Sequence, residues 1–271
     1  GSSRTFRITA DEGYAIASVV VDGRGVGHMS SYTFENVRED HTIEVTFRRV
    51  TEQGDPAATG VGDWVNTVDH TPFLNGYSNG SFRPDANMSR AQVAQMFYNL
   101  LLNKDVPSTA SYNDVAPDAW CAEAVRVMSA LGVVTGYADG SFRPNEPITR
   151  AQFAVIAMRF TDVTAPMGKP SSDVPPTARY YEEVMGAAGF GWLSGYSDGT
   201  FRPNNPITRA EVAVITNRML GRSADEAYIN SHLLDIQQFT DLGLPHWAFY
   251  DIMEAANTHD YRKENGVEYW L

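Results

Sequence analysis

Apolar residues recur at helical spacing in several stretches of the chain. Val93, Met96, Phe97, Leu100 and Leu101 follow the i, i+3, i+4, i+7, i+8 rule, as do Phe153, Ile156, Ala157 and Phe160. Two more stripes, Trp120, Ala124, Val127, Met128 and Leu131, then Tyr181, Val184, Met185 and Ala188, predict further amphipathic helices. Helix starts are marked by Ser89-x-x-Gln92, Thr149-x-x-Gln152 and Thr208-x-x-Glu211, which read as capping boxes. Residues 4–49 follow a different rule. Segments 5–9, 16–21, 32–34 and 42–47 alternate apolar and polar side chains, are rich in β-branched residues, and predict short strands. Glu12-Gly13 and Asp22-Gly23 mark turns between them.

The helical part is repetitive. Gly76-Tyr-Ser-Asn-Gly-Ser-Phe-Arg-Pro84 recurs as Gly136-Tyr-Ala-Asp-Gly-Ser-Phe-Arg-Pro144 and Gly195-Tyr-Ser-Asp-Gly-Thr-Phe-Arg-Pro203. Each copy continues into a second block: Met88-Ser-Arg-Ala-Gln92, Ile148-Thr-Arg-Ala-Gln152 and Ile207-Thr-Arg-Ala-Glu211. Asn79-Gly80, Asp139-Gly140 and Asp198-Gly199 are tight-turn dipeptides, bracketed by a tyrosine before and a phenylalanine after. The unit is therefore an Asp-containing turn (Asn113-Asp114-Val115, Ser172-Asp173-Val174), a helix, a tight loop and a capped helix. One such hairpin cannot bury its apolar faces alone, so three are expected to pack together.

Copy one lacks its own upstream helix, while Phe239-Thr-Asp-Leu-Gly-Leu-Pro-His-Trp247 is an upstream half without a partner. Asp241 precedes Trp247 by the same six residues that separate Asp114 from Trp120. The last helix is expected to pack beside 93–101 and close the bundle. The organisation reads as a β unit over 1–50, a linker over 51–62, repeats over 63–110, 111–170 and 171–238, and a closing half-repeat over 239–271.

Charge and composition narrow the function. Lys and Arg number 21 against 33 Asp and Glu, a net charge of −12. That argues against wrapping nucleic acid or lying on an anionic membrane. No stretch approaches the ~20 apolar residues of a membrane span. A single cysteine, Cys121, excludes an internal disulfide and reads as a packed apolar residue. The six histidines show no local ligand spacing, so no metal and no cofactor is expected. The Asp-Gly turns offer too few carboxylates for a calcium loop. No carboxylate pair repeats in a way that marks glycoside hydrolysis, so the chain is read as no enzyme. The opening Gly1-Ser2-Ser3 reads as an expression scar.

Arg90, Arg150 and Arg209 stand at the first helical position after each cap. A cation there opposes the helix dipole, and unpaired helical N–H groups are expected beside it. Together they would make an anion site, in which a guanidinium grips a carboxylate with two hydrogen bonds. The alternative is that each arginine pairs with Asp114, Asp173 or Asp241 and staples one repeat to the next. Arg83, Arg143 and Arg202 are expected to stabilise loops. Gly76, Gly136 and Gly195 are conformational, with room for a sugar to approach the backbone. Trp120, Trp192 and Trp247 either stack on sugar faces or belong to the core.

The threefold pattern with its upstream Asp and Trp resembles the S-layer homology (SLH) family, over roughly residues 63–260. The resemblance implies a mainly α fold: a pseudo-threefold bundle of three repeats. It further implies non-covalent anchoring of a bacterial surface protein to a secondary cell-wall polysaccharide bearing pyruvate on an amino sugar. The ligand would lie in grooves between repeats, with the arginines at 90, 150 and 209 as contacts, and self-association in a surface layer would be open to such a protein. Residues 4–49, through Glu12-Gly-Tyr14, Val21-Asp-Gly23, Tyr32-Thr-Phe34 and His41-Thr-Ile43, resemble the internalin B-repeat, which implies a β-grasp-like unit. This piece is expected to be the C-terminal end of a longer surface protein. Asn79 and Met88-Ser89 depart from the family pattern, and Tyr180 or Tyr181 stands where copy three should carry tryptophan, so the grooves should differ.

Overall fold

The computed structural model describes residues 2–8, 14–27, 31–49, 55–161, 163, 165, 167–169, 171–264 and 266–271. The Glu12-Gly13 turn and residues 51–54 of the expected linker lie outside them. The described residues are mainly α with small sheets. In the N-terminal unit, β1 (Arg4–Arg7) pairs antiparallel with β4 (Ser31–Phe34). β2 (Tyr14–Val21) runs between β3 (Arg24–Gly27) and β5 (Ile43–Arg49). Strand β3 was not legible in the alternation, because Arg24-Gly-Val-Gly27 carries almost no apolar signal. Ile8, Val19, Val21 and Phe34 form this unit's own small core.

Residues 55–62, expected as linker, are ordered in part against the helices. Asp55 caps α1 (Pro56–Thr59), accepting from Ala57 N, and Val61 is fully buried in the main core. The three capped helices are α2 (Arg90–Leu100), α4 (Arg150–Met158) and α6 (Arg209–Met219). All three capping boxes form reciprocally, side chain to N3 amide and N3 side chain back to the cap amide. The upstream helices are α3 (Ala122–Ala130), α5 (Tyr181–Gly189) and α8 (Phe249–Ala256); a short α7 (Glu226–Ser231) precedes the last.

The residues just before the caps join the repeats in a closed ring. Met88 N donates to Ile207 O, Ile148 N to Met88 O and Ile207 N to Ile148 O, each at 2.9–3.0 Å. Met88, Ile148 and Ile207 are buried at its centre. Around this ring, Phe82, Phe142 and Phe201 fill the core beside Phe97, Phe153 and Phe160.

Each upstream helix packs on the capped helix of the preceding copy: α3 on α2, α5 on α4, α8 on α6. The closing helix therefore lies chiefly against α6 rather than beside 93–101. Its half-repeat reaches copy one through loops instead. Phe73 N and Leu74 N donate to Ala255 O, Thr240 N donates to Gly80 O, and the Phe239 ring packs on Phe82. The chain then ends in a hairpin absent from the expected organisation, β6 (Tyr261–Glu264) and β7 (Val267–Trp270). Its Asn265-Gly266 turn dipeptide is the signal that would have found it.

Candidate functional site

The aspartates of the upstream turns do not meet the cap arginines. Asp114 accepts from Phe142 N and Arg143 N, Asp173 from Phe201 N and Arg202 N, and Asp241 from Phe82 N and Arg83 N, all at 2.7–2.8 Å. The arrangement answers a backbone problem. Arg83, Arg143 and Arg202 adopt φ of 58–59°, a left-handed conformation uncommon for residues with a Cβ. A carboxylate taking both amides of that corner holds it in place. The same arginines lie over Tyr77, Tyr137 and Tyr196 at 3.9–4.1 Å, as expected of loop stabilisers. Arg143 and Arg202 also pair with Asp139 and Asp198, whose carboxyls fall to about 2. The causes are hydrogen bonds from Ser141 and Thr200 first, then the arginines.

Arg90, Arg150 and Arg209 reach across the joints, each into the loop of the next copy around the ring. Arg90 Nε donates to Phe142 O and its Nη2 to Thr135 O, both at 2.7 Å. Arg150 uses Phe201 O and Ser194 O, and Arg209 uses Phe82 O and Asn75 O. Each guanidinium also stacks 4.5–4.7 Å above the phenylalanine of that loop. All three are buried, and burial lowers the pKa of Arg90 and Arg209. The expected free N–H groups are not there. The amides of Arg90, Arg150 and Arg209 donate to Glu146 O, Asn205 O and Ala86 O, and the next amides to Pro144 O, Pro203 O and Pro84 O. The helix N-termini are therefore sealed by neighbouring carbonyls, and anion binding must come from side chains.

The joints differ in their acid. Arg150 Nη1 pairs with Glu211 at 2.5 Å, and the Tyr196 hydroxyl donates to the same oxygen. Burial raises the Tyr196 pKa, and this hydrogen bond adds to the rise. Arg209 Nη1 meets Met88 Sδ. Among the described residues Arg90 has no carboxylate at ion-pair distance. It opens instead on a cavity of about 420 Å³ between copies two and three. Thr135, Gly136 and Tyr137 form one wall, Gln152 of α4 and Arg159 at its C-terminal cap another, and Arg179, Glu183 and Asn204 the third. Three arginines line this hollow against one carboxylate, with Arg159 Nη1 also donating to Val133 O at 2.9 Å.

Trp120 and Trp247 are 63% and 64% exposed, whereas Trp192 is fully buried in the core and presents no ring to solvent. Trp120 borders a second hollow of about 350 Å³ with Tyr112, Asp118 and Arg126. The turn hydrogen bonds preceding each upstream helix, Ala122 N to Ala119 O, Tyr181 N to Ala178 O and Phe249 N to His246 O, set the register. They put Arg179, not Tyr180 or Tyr181, in the place of Trp120 and Trp247. A Cβ on Gly76 would stand 2.5 Å from the Phe239 ring, and one on Gly136 closer still to Tyr112. Those two glycines are needed for packing; at Gly195 the neighbours are Thr200 O and Ser171 Oγ.

Local spacing gave no metal site, yet the fold brings together two histidines 189 residues apart. His70 and His259 meet Glu254 and Glu268 in a buried cluster remote from the groove in sequence and built on the C-terminal hairpin.

The S-layer homology domain family matches residues 73–94, 111–154 and 172–213. Cell surface glycoprotein 1 of Acetivibrio thermocellus is 34% identical over 214 residues, 74% of this chain and 9% of that protein. The cellulosome-anchoring protein of the same organism is 34% identical over 215 residues, 74% of this chain and 46% of its own length. The surface-layer 125 kDa protein of Lysinibacillus sphaericus is 30% identical over 161 residues, covering 58% of this chain and 14% of that protein. The chain thus spans less than half the length of these relatives.

Proposed function

We propose that this chain, whose three matched segments belong to the S-layer homology domain family, is a non-catalytic module that anchors a bacterial surface protein to the cell wall. Its ligand is an acidic secondary wall polysaccharide, with pyruvate on an amino sugar as the chemistry that fits best. The observation that carries this reading is the convergence of Arg90, Arg159 and Arg179 on one inter-repeat cavity in a chain of net charge −12. A guanidinium binds a carboxylate through paired, charge-assisted hydrogen bonds. Thr135, Gly136 and Tyr137 line the side of the cavity against which the sugar ring would lie.

The three repeats form a pseudo-threefold bundle in this reading, supported by the ring of hydrogen bonds through Met88, Ile148 and Ile207. Equivalent grooves then hold Arg209 with Trp120 and Arg150 with Trp247. The Arg150 groove is the weakest, because Glu211 already neutralises its guanidinium. Asp114, Asp173 and Asp241 shape the groove through the loop corner rather than by touching ligand. The relatives' names, which speak of cellulosome anchoring and surface layers, support a cell-surface location. Residues 4–49 are proposed as a surface-protein repeat akin to the internalin B-repeat.

The test is binding of purified cell wall by the whole chain and by Arg159→Ala and Arg179→Ala. A lost charge-assisted bond is worth about 1.5–3 kcal/mol, so affinity should fall roughly ten- to hundredfold per site while melting temperature holds. Unchanged wall binding by both variants would overturn the reading.

A further inference from the structure

We infer that His70, Glu254, His259 and Glu268 form a structural metal site for a divalent zinc-like ion, which locks the C-terminal hairpin to the start of copy one. Nothing in the anchoring function requires it, and the cluster is built from different residues than the groove.

The argument begins with sterically matched ligand atoms. His70 Nδ1 lies 2.9 Å from His259 Nε2, 3.1 Å from Glu254 Oε1 and 3.1 Å from Glu268 Oε1. His259 Nε2 lies 3.5 Å from Glu268 Oε1, and one ligand atom from each of the four residues falls within 4.8 Å of the others. Four ligands bonded tetrahedrally at ~2.0–2.1 Å stand ~3.3–3.4 Å from one another. The observed separations bracket that edge length.

Protonation alone does not satisfy the cluster. His259 Nδ1 faces the Asn257 carbonyl at 3.2 Å and so carries the proton, which leaves the Nε2 lone pair pointing inward. A single proton can bridge the two ring nitrogens. Glu254 Oε1 and Glu268 Oε1 face no donor other than the imidazole nitrogens, on side chains with no exposed surface. Unpaired buried carboxylate oxygens are costly. One dication accepts all four lone pairs at once.

The surroundings hold three of the four ligands as an outer shell does, while His70 Nε2 is buried without a hydrogen-bond partner. Glu254 Oε2 accepts from Trp270 Nε1 at 3.0 Å, and Glu268 Oε2 from Ser223 N at 3.2 Å. Each carboxylate therefore has one oxygen tied and the other turned inward. Trp270 stacks on His259 at 3.7 Å and Tyr261 on His70 at 3.9 Å, closing the site to water. Lys263 lies 3.7 Å from Glu268, and Arg222 donates outward to Asp69 O and Thr71 O. These two cations offset the carboxylates, so binding draws on coordination bonds rather than net charge. A two-histidine, two-carboxylate set of this size suits zinc or cobalt better than calcium, which takes six to eight oxygens.

The experiment uses the whole untagged chain, stripped with EDTA and dialysed. Cobalt(II) chloride should develop the strong visible absorption of tetrahedral cobalt, saturating at one equivalent, and zinc should bleach it. Zinc at 100 times its Kd should raise the folded-to-unfolded ratio about 100-fold, read as a higher melting temperature that EDTA reverses. His259→Ala should abolish the cobalt spectrum; if it fails to fold, the wild-type titration decides alone. Arg159→Ala should leave the spectrum intact, which separates this inference from the anchoring function. A featureless cobalt titration together with melting indifferent to zinc and EDTA would overturn it, identifying the cluster as one held by protons.

Discussion

The joints at Arg150 and Arg90 are built from the same parts but face different residues at N3 of the next capped helix. Both arginines follow a cap, stack on a phenylalanine, and donate to two carbonyls of the next loop. At Arg150 the N3 residue of the next capped helix is Glu211, which completes its capping box with one oxygen and pairs the guanidinium with the other. At Arg90 the equivalent residue is Gln152, which caps equally well and leaves the guanidinium's charge uncompensated beside a cavity. One motif thus yields a staple or an unpaired guanidinium at a cavity, depending on whether a neighbouring side chain is an acid or its amide.

The largest expected effect lies at the staple. Arg150→Ala strands Glu211, and breaking a buried pair costs about 3–5 kcal/mol. Arg90→Ala should cost visibly less in urea unfolding, and equal losses would erase the distinction. Asp114→Ala leaves two amides of a strained corner unpaired, for about 1–3 kcal/mol by the same measurement. Gln152→Glu should convert the Arg90 guanidinium into a second staple, lowering affinity for an acidic glycan about tenfold with stability unharmed. Acid should also separate the copies. The Asp139 and Asp198 carboxyls are depressed from 3.8 to about 2, so their contribution is present above 3.8 and is lost as pH falls toward 2. Copy one carries Asn79 and should lack this sensitivity. The smallest effect follows from the same contrast: Asn79→Asp supplies Arg83 with the missing acid and should raise the melting temperature by about one to three degrees.

How much of this was readable varies with the range of the interaction. The capped helices were legible because Ser89 and Gln92, and their counterparts, act within one turn. The upstream helices were legible from apolar spacing. The arginines' partners were not, since Phe142 O, Phe201 O and Phe82 O are backbone atoms 51–127 residues away and no side-chain identity advertises them. The role of Asp114, Asp173 and Asp241 was hidden for a related reason. It depends on a left-handed arginine, a conformation that sequence rules reserve for glycine and asparagine. Arg179 was missed because tyrosines beside it looked like the natural replacement for tryptophan, although six residues after Asp173 the count lands on Arg179, as the turn register confirms. The His70–His259 meeting was invisible because local spacing cannot see a contact between the two ends of the repeat region.

The most direct test of the account is calorimetric titration of the whole chain with a pyruvylated amino-sugar fragment, run beside the same fragment after pyruvate removal. The account predicts saturable heat for the first, loss of most of it in Arg179→Ala, and little or none for the second. Equal binding of both fragments, or heat for neither, would contradict a groove built to receive a carboxylate.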